Sequence, residues 1–433
     1  METQLASIAH VAKTQPKAKF TSLAHLINEK TLETCHREMS GRKAPGIDGV
    51  TKADYDKELE KNLKELVSRL KRQAYKPQPV RRTYIAKQGT NKMRPLGIPA
   101  YEDKLVQAAL SKILNSIYEE DFLECSFGYR PNRGTHDALK VLNRIIETKD
   151  INYIVDVDIK GFFDHVNHEW LKKFIKHRIA DPNIYRLIVR FLKAGVMEKG
   201  LHIETLEGTP QGGVVSPILA NIYLHYVVDL WFEKVVRKNG CGNALMVRYA
   251  DDMVFCFQAE NEAKEFYRSL EERLKRFNLE ISEEKSKIIP FRKNKENKTT
   301  FDFLGMTHYI GKSKNGNFRV KRKTSQKKYK ASLNKCKEWL RQNRNVHITE
   351  LWKKMQVKMA GYYRQYGVTD NYEMIKKFMY ETKNMLFKWL NRRSQRKSFT
   401  WDKFETYLKK NPLPNPRIYV NIFALRVGIS YCK

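Results

Sequence analysis

The sequence predicts an α+β domain followed by a domain of packed helices. Between about residues 80 and 310, short β-branched runs alternate with longer helical patterns, which is typical of α+β domains. After about residue 320, apolar residues recur at helical spacing in three successive stripes. Three helices with one apolar face each can bury those faces against one another.

The flanking segments are predicted from their turn formers and their spacing. Residues 20–75 read as mainly helical, with a loop at residues 44–49 (APGIDG), where Pro and Gly cannot continue a helix. From Trp401 we expect a helix followed by an extended tail rich in proline. These patterns divide the chain into residues 1–80, 81–315, 316–395 and 396–433.

The three helical stripes are interrupted by a break at Gly367 and an expected cap at Asp370. The stripes consist of Tyr329, Leu333, Cys336 and Leu340; of Trp352, Met355, Met359, Tyr362 and Tyr366; and of Ile375, Phe378, Thr382, Met385 and Trp389. We interpret them as core, and assign any function of this region to its outer faces. Residues 320–364 contain 14 Lys or Arg and two Glu, so those faces are expected to be basic.

The charge balance indicates a polyanionic partner. Eighty-two Lys and Arg against 48 Asp and Glu give the 433 residues a formal net charge of +34. Nucleic acid is the natural partner through phosphate contacts and counterion release, although a ribosomal or histone-like binder without chemistry would share this charge. Membrane association is the weaker interpretation, because no stretch approaches the roughly 18 apolar residues of a spanning helix.

The cysteines and the amino end indicate the compartment. None of the six cysteines forms a C-x-x-C pair, which argues against a zinc site or a disulfide framework. The amino end has no basic segment followed by an apolar run, so we expect no secretory signal. We therefore expect a cytoplasmic protein; a bacterial source is a separate expectation that these features do not decide.

Two adjacent acids, Asp251 and Asp252, lie between strand-like apolar flanks and predict a hairpin turn. A plain turn is the alternative, but Asp-Asp is a poor pair for the favoured two-residue turns. Adjacent carboxylates also repel each other unless a cation neutralises them. We therefore favour a metal site.

A second acidic segment strengthens that interpretation. Asp158 stands at the exit of a predicted buried strand, residues 153–159, just before a helical segment. Carboxylates on a strand end and on a hairpin suit a pair of Mg²⁺ ions that promote in-line phosphoryl transfer. Asp156 is a weaker candidate on the same strand face, and we interpret Asp164, His165 and His168 as helix surface or caps rather than zinc ligands.

At this point the sequence resembles the reverse transcriptases, and most closely those encoded by group II introns, also called maturases. Both acidic segments carry the resemblance, together with residues 43–50 (KAPGIDGV), 94–99 (RPLGIP), 126–131 (SFGYRP), 209–213 (TPQGG), 301–305 (FDFLG) and 361–364 (GYYR). The resemblance spans about residues 25–395. It implies a right hand: an amino-terminal extension leading into fingers, then palm, then a three-helix thumb, or maturase, domain, followed by a basic tail.

The resemblance also implies roles in catalysis. Asp158 and Asp251 would bind two Mg²⁺ ions, for which Mn²⁺ may substitute, with Asp252 and the Ile159 carbonyl as further ligands. Lys285 would protonate the leaving pyrophosphate, although a surface lysine is an equal alternative on local sequence.

Other family positions would contact the nucleotide or the nucleic acid. Lys87 and Arg94 would grip the triphosphate, for which a point charge and a planar fork are apt. Gln211 would touch the incoming sugar, and Phe163 would exclude a 2′-hydroxyl and so select deoxynucleotides. The residues expected to contact nucleic acid are Arg130, Arg133, Gly305 and Arg364.

The partners implied are intron RNA, an RNA template with a DNA primer, a DNA target and deoxynucleoside triphosphates. The chain ends without the His-Asn-His nuclease that many relatives carry, so we expect no second-strand cleavage by the protein. An RNA-binding splicing factor with a relic polymerase site, and a domesticated enzyme of repair or phage defence, are the alternatives. The oligomeric state is not predicted.

Overall fold

The computed structural model describes residues 2–86, 93–198, 201–203, 207–208, 212–294, 298–313, 315–393 and 399–425. The helices are α1 (Glu2–Thr14), α2 (Glu29–Glu38), α3 (Lys52–Asp56), α4 (Leu59–Lys71), α5 (Tyr101–Asp121), α6 (Thr135–Thr148), α7 (His168–Ile175), α8 (Pro182–Leu192), α9 (Ser216–Leu224), α10 (Arg237–Asn239), α11 (Glu260–Arg276), α12 (Gln326–Asn343), α13 (Ile348–Tyr366), α14 (Tyr372–Leu390) and α15 (Trp401–Lys410). The strands are β1 (Val80–Ala86), β2 (Met93–Ile98), β3 (Tyr153–Asp158), β4 (Val196–Glu198), β5 (Leu201–Ile203), β6 (Ala244–Tyr249), β7 (Asp252–Phe257), β8 (Lys287–Pro290), β9 (Thr300–Phe303), β10 (Met306–Lys312) and β11 (Phe318–Thr324).

The chain forms two compact units. Of the described residues, the first unit comprises those within 2–86, 93–134 and 155–288, and the second comprises those within 135–154 and 289–425. Strands β3 and β8 pass from one unit into the other. The mixture of helices and strands confirms the α+β fold class.

Two four-stranded sheets are built mainly from the first unit, in the orders β2-β1-β4-β5 and β6-β7-β3-β8. In the first sheet, β1 pairs antiparallel with β2 and parallel with β4. In the second, β6 and β7 form a tight antiparallel hairpin that ends on the pair Tyr249 and Asp252. Strand β7 lies beside β3, so the hairpin tip and the exit of β3 belong to one sheet.

Helix α9 does not end as an ordinary helix. It runs on through two π-helical turns, at His225–Asp229 and Phe232–Val236, before the short α10. In the first of these turns the Leu230 backbone N–H donates to the His225 carbonyl, five residues back. A π turn places one extra residue in the helix, and such turns are frequent at functional sites.

The second unit combines helix α6, the three-stranded sheet β11-β10-β9 and helices α12–α14. The predicted stripes form its core: Tyr329, Cys336, Trp352, Met355, Met359 and Ile375 are all buried, with Leu333, Tyr366 and Met385 partly buried against them. The prediction of three helices packed by their apolar faces is therefore confirmed. Helix α15 adds Phe404 to the same core.

The segment after α15 is extended, as predicted, and one part of it pairs with the α13–α14 turn. Val420 forms a parallel bridge with Val368. The Tyr419 backbone N–H donates to the Gly367 carbonyl at 2.7 Å. A β-carbon on Gly367 would stand 2.6 Å from the Arg417 carbonyl oxygen, so this close pairing requires glycine.

Helix α1 was not predicted. It packs on α5, and the buried Arg178 fastens its carboxyl end by donating to the Ala12, Gln15, Pro16 and Ala18 carbonyls. Arg178 is also paired with Asp121 at 3.1 Å. Within the described residues, no helix combines the length and apolar character that crossing a membrane requires.

Candidate active site

The β6–β7 hairpin carries the first predicted carboxylate. Its two-residue turn is Ala250-Asp251, and Asp252 already belongs to β7. Ala250 adopts a left-handed backbone conformation with φ of 58°, which is unfavourable for a residue with a β-carbon. The Asp251 side chain is half-buried, whereas that of Asp252 is exposed. The acid pair therefore divides between the turn and the strand.

The exit of β3 carries the second carboxylate and is held by residues 280–282. The Ser282 N–H donates to the Asp158 carbonyl at 2.8 Å, and the Lys160 N–H donates to the Glu280 carbonyl at 2.9 Å. Because neighbouring peptide groups of a strand point in opposite directions, the Ile159 carbonyl points away from residues 280–282. The Ser286 hydroxyl accepts from the Asp158 N–H at 3.2 Å.

The negative charge of Asp158 acts on the Asp251 carboxyl. Burial raises the pKa of the Asp251 carboxyl, and the negative charge of Asp158 raises the pKa further, while Arg94 and Lys285 oppose the shift. Two acids close enough to disfavour each other's ionisation are the arrangement that a bound cation relieves. Strand β7 lies beside β3, so the hairpin tip and the strand exit belong to one sheet, which the two-carboxylate prediction requires.

The donor set is smaller than the sequence suggested. Among the described residues, no three His, Cys, Asp or Glu side chains form a group that could hold a metal ion. The pair Asp158 and Asp251 still fits Mg²⁺, because this ion is commonly bound by one or two carboxylates and completes its shell with water and substrate phosphate oxygens. The role of Asp252 as a ligand stays a prediction.

Lys285 lies within the site, since its Nζ is paired with the Asp158 Oδ2. The Lys285 backbone N–H donates to the Ser282 carbonyl at 3.0 Å, so the same segment that holds β3 also positions this lysine. The Lys285 side chain is 53% exposed, so its role as proton donor stays a prediction beside the surface-lysine alternative.

Phe163 is buried just beyond β3 and contacts a second ring. It meets Tyr129 edge-to-face at 6.5 Å and Phe162 at 5.4 Å between ring centroids. Tyr129 is 50% exposed and lies near Asp251, whose charge, after burial, raises the pKa of the Tyr129 phenol. Tyr129 follows the glycine of the SFGYRP motif, and its side chain was not among the predicted site residues.

The expected nucleotide contacts stay predictions. Arg94 lies in β2, and its positive charge opposes the rise in the pKa of both Asp251 and Tyr129. Lys87 and Gln211 fall outside the described residues.

The structure contradicts a direct contact of Arg130 with nucleic acid. Its guanidinium is buried and donates to Glu119 at 2.7 Å, to the Leu123 carbonyl at 2.6 Å and to the Ser126 carbonyl at 2.9 Å. These donors are committed to internal acceptors, so Arg130 supports the SFGYRP segment. Arg133 is half-buried and donates to the Glu124 carbonyl at 3.2 Å, and its contact with nucleic acid stays a prediction.

Two expected nucleic-acid contacts lie in the second unit. Leu304 and Gly305, with φ of 49° and 81°, form the β9–β10 turn, and positive φ at both positions is the pattern of a type I′ hairpin. In the GYYR motif, Tyr362 and Tyr363 are buried and Arg364 is exposed. The tyrosines therefore pack the core, and the arginine faces solvent.

Comparison with known proteins identifies the family of the chain. Residues 85–308 match the family described as reverse transcriptase (RNA-dependent DNA polymerase). The match covers more than half of the chain and includes both carboxylate segments, and the chain belongs to this family.

Three individual relatives show which proteins the chain is similar to. The chain is 43% identical over 207 residues to the group II intron-encoded protein LtrA of Lactococcus lactis subsp. cremoris, which is 48% of this chain and 34% of that relative. It is 35% identical over 244 residues to protein YkfC of Escherichia coli strain K12, covering 54% of this chain and 64% of YkfC. It is 28% identical over 154 residues to nuclear intron maturase 4, mitochondrial, of Arabidopsis thaliana, covering 34% and 18%. The chain therefore spans less than two thirds of the length of each of these relatives.

Proposed function

We propose that this protein is a group II intron-encoded reverse transcriptase that makes DNA on an RNA template and also binds intron RNA as a maturase. The single observation that carries the proposal is the meeting of Asp158, at the end of β3, with Asp251, at the tip of the β6–β7 hairpin. The fold would then be a right hand, with the β2-β1-β4-β5 sheet in the fingers, the β6-β7-β3-β8 sheet in the palm and α12–α14 as the thumb.

The chain's own residues divide the work of nucleotide transfer. Asp158, Asp251 and the Ile159 carbonyl would hold two Mg²⁺ ions, which supply activation of the primer 3′-hydroxyl and neutralisation of phosphate charge. Lys285 lies beside Asp158, where its Nζ would give a proton to the leaving pyrophosphate.

Selection and orientation of the nucleotide fall to other residues. The Phe163 ring, which Tyr129 meets edge-on, would close the space that a 2′-hydroxyl needs. Arg94 would bind the triphosphate, together with Lys87, and Gln211 would contact the sugar.

The proposed intron RNA surface is the basic outer face of α12 and α13. Its lysines are exposed while the apolar stripes of the same helices are buried: Lys327, Lys328, Lys330, Lys335, Lys337, Lys353, Lys354 and Lys358. Such a face neutralises phosphates without reading base sequence. The names of LtrA and of the Arabidopsis maturase, both tied to introns, support intron RNA as the ligand. Primed template and a DNA target would be further partners.

The deciding experiment is extension of a DNA primer on an RNA template with Mg²⁺, comparing the wild-type protein with Asp251→Ala and Asp251→Asn. We expect DNA synthesis by the wild type alone and equal RNA binding by all three, because the basic helices are untouched. Lys160→Ala, at an exposed residue beyond β3, serves as a control for loss of charge.

Each of the other possible results of this experiment would support a different function. RNA binding without synthesis by the wild type would overturn the polymerase and leave a splicing factor. Synthesis by both Asp251 variants would overturn the assigned site. Synthesis without any stimulation of intron splicing would favour a domesticated enzyme of repair or defence.

A further inference from the structure

Beneath the catalytic hairpin lies a buried ion pair that the nucleotide-transfer scheme does not use. The guanidinium of Arg248 and the carboxylate of Asp229 are both fully buried, with 0% of each side chain exposed. Arg248 Nε donates to Asp229 Oδ1 at 2.7 Å, and Nη2 donates to Oδ2 at 2.6 Å. This two-point contact fixes the plane of the guanidinium.

The remaining nitrogen of Arg248 is aimed at the hairpin turn. Its Nη1 donates to the Ala250 carbonyl at 3.0 Å and to the Asn221 Oδ1 at 3.1 Å. The Ala250 carbonyl belongs to the peptide group whose nitrogen is that of Asp251. A bond to this oxygen therefore fixes the orientation of the peptide from which the Asp251 side chain departs.

A second contact supports the same turn from the SFGYRP segment. Asn221 Nδ2 donates to the Gly128 carbonyl at 2.7 Å, and Gly128 lies against the Ala250 backbone. The Arg248 backbone pairs with Cys125 and Phe127, at 2.8 and 2.9 Å. Arg248, Asp229 and Asn221 thus connect three segments that converge on Ala250.

Ala250 needs such support. As a residue with a β-carbon in the left-handed region, Ala250 is in an energetically costly backbone conformation. That cost favours a rearranged turn unless surrounding contacts hold the observed one. A lysine could not replace Arg248, because only a planar fork reaches two carboxylate oxygens, an amide and a carbonyl at once.

We infer that Arg248, Asp229 and Asn221 are positioning residues that hold the Ala250-Asp251 peptide, and with it the Asp251 carboxylate, in the orientation that binds the catalytic cation. The inference rests on the proposed function for the identity of that cation. The ion pair acts through Asp251 and does not itself touch substrate. Buried ion pairs are weak evidence for stability, whereas fixing one arrangement is their better-attested use.

The test compares Arg248→Lys, Asp229→Asn and Asn221→Ala with the wild type. Arg178→Lys is the matched control, because Arg178 is also a buried arginine of the first unit, paired with Asp121 and bonded to backbone carbonyls. Hydrogen exchange of the amides of residues 248–253 is measured in metal-free protein. Mn²⁺ binding is measured by electron paramagnetic resonance, alongside kcat and the KM for deoxynucleotide.

For the three positioning variants we expect faster exchange confined to the hairpin, Mn²⁺ affinity lower by about 10-fold, and a lower kcat with KM nearly unchanged, since supporting residues of metal sites have effects of this size. RNA binding should not change. Arg178→Lys should lower the unfolding temperature without changing hairpin exchange or Mn²⁺ affinity. If Arg248→Lys does not fold, Asn221→Ala, which leaves the ion pair in place, carries the test.

Failure of the positioning role and failure of the proposed function would give different results. Variants with wild-type hairpin exchange and Mn²⁺ affinity, changed only in unfolding temperature, would overturn the positioning role and leave the polymerase standing. A wild-type protein that neither extends a primer nor binds Mn²⁺ in an Asp251-dependent way would overturn the proposed function instead.

Discussion

Gly128 lies directly against Ala250: a β-carbon built on Gly128 would stand 2.2 Å from the Ala250 nitrogen, where no side chain fits. We expect Gly128→Ala to push the hairpin turn away and to lower primer extension by about 100-fold, because small displacements of a catalytic group have effects of this size. Steady-state extension on an RNA template measures it.

Gly361→Ala is the control for this prediction. It lies within α13, where an added β-carbon meets no atom within 4 Å. It should keep full polymerase activity and raise stability by about 0.5–1 kcal/mol, the usual gain on replacing a helical glycine. Full activity of Gly128→Ala would show that the turn has room to move.

Phe163→Val should admit ribonucleotides. A smaller side chain beside Tyr129 opens space for a 2′-hydroxyl, so the preference for deoxynucleotides should fall by about 10- to 100-fold, the range in which pocket size discriminates. Single-nucleotide incorporation measures the ratio of kcat/KM values. Phe162→Leu, at the neighbouring buried ring, should keep the preference; an unchanged ratio in Phe163→Val would retire the assignment.

Lys285→Ala should lower the rate of nucleotide transfer by about 10²–10⁴-fold if its ammonium donates the proton, which is the range for general acids. Lys285→Arg keeps the charge beside Asp158 and should retain more activity than Lys285→Ala, with deoxynucleotide KM little changed. Pre-steady-state incorporation separates transfer from product release. If both variants lost the same small amount of transfer rate, Lys285 would be only a counter-charge for Asp158 and not a proton donor.

Arg364→Ala should weaken RNA binding and lower the slope of log affinity against log salt by about 1, because one phosphate contact is lost. Filter binding across salt concentrations measures the slope. Arg364→Lys should keep it. Tyr363→Ala, at a fully buried ring of the same motif, should instead cost about 3–5 kcal/mol of stability. A salt slope unchanged by Arg364→Ala would remove this arginine from the RNA surface.

Asp103 should make stability depend on pH. Burial raises the pKa of its carboxyl from 3.8 to about 6, with the Tyr75 hydroxyl and the Gln78 N–H opposing the shift. The folded protein thus holds this proton more tightly than the unfolded chain does. The resulting stability is complete below about pH 4 and is lost as pH rises through about 6.

Asp103→Asn removes that titration. Between pH 4 and 7 its free energy of unfolding should rise relative to wild type by up to about 3 kcal/mol, since one pKa unit corresponds to about 1.4 kcal/mol. Thermal or denaturant unfolding at several pH values measures the difference. The exposed Asp402→Asn should show no such trend, and a flat difference for Asp103→Asn would contradict the prediction.

Local patterns predicted the elements that carry the site. Helical periodicity identified α12–α14, and paired acids between apolar flanks identified the β6–β7 hairpin, because both signals lie within one short segment. Helix α1 was missed because its stability comes from α5 and from Arg178, far along the chain.

The features that sequence reasoning could not provide depend on distant partners. Arg130 was predicted to contact nucleic acid, but its guanidinium is buried and bonds to Glu119 of α5, a pairing that the motif itself does not indicate. Tyr129 contacts Phe163 from a left-handed backbone conformation, with φ of 58°, which the sequence does not indicate. The ion pair of Arg248 with Asp229 joins a strand to a helix, and the spacing of these two residues in the sequence does not predict it.

The π turn at His225–Asp229 sets the rotational phase of the helix that carries Asp229. Each residue of an ordinary helix advances the direction of the side chain by about 100°. Asn221 and Asp229 are eight residues apart, so in regular winding their side chains would point about 80° apart. The extra residue that the π turn takes up brings both side chains to Arg248. The winding of one helix is therefore part of what supports the Ala250-Asp251 turn.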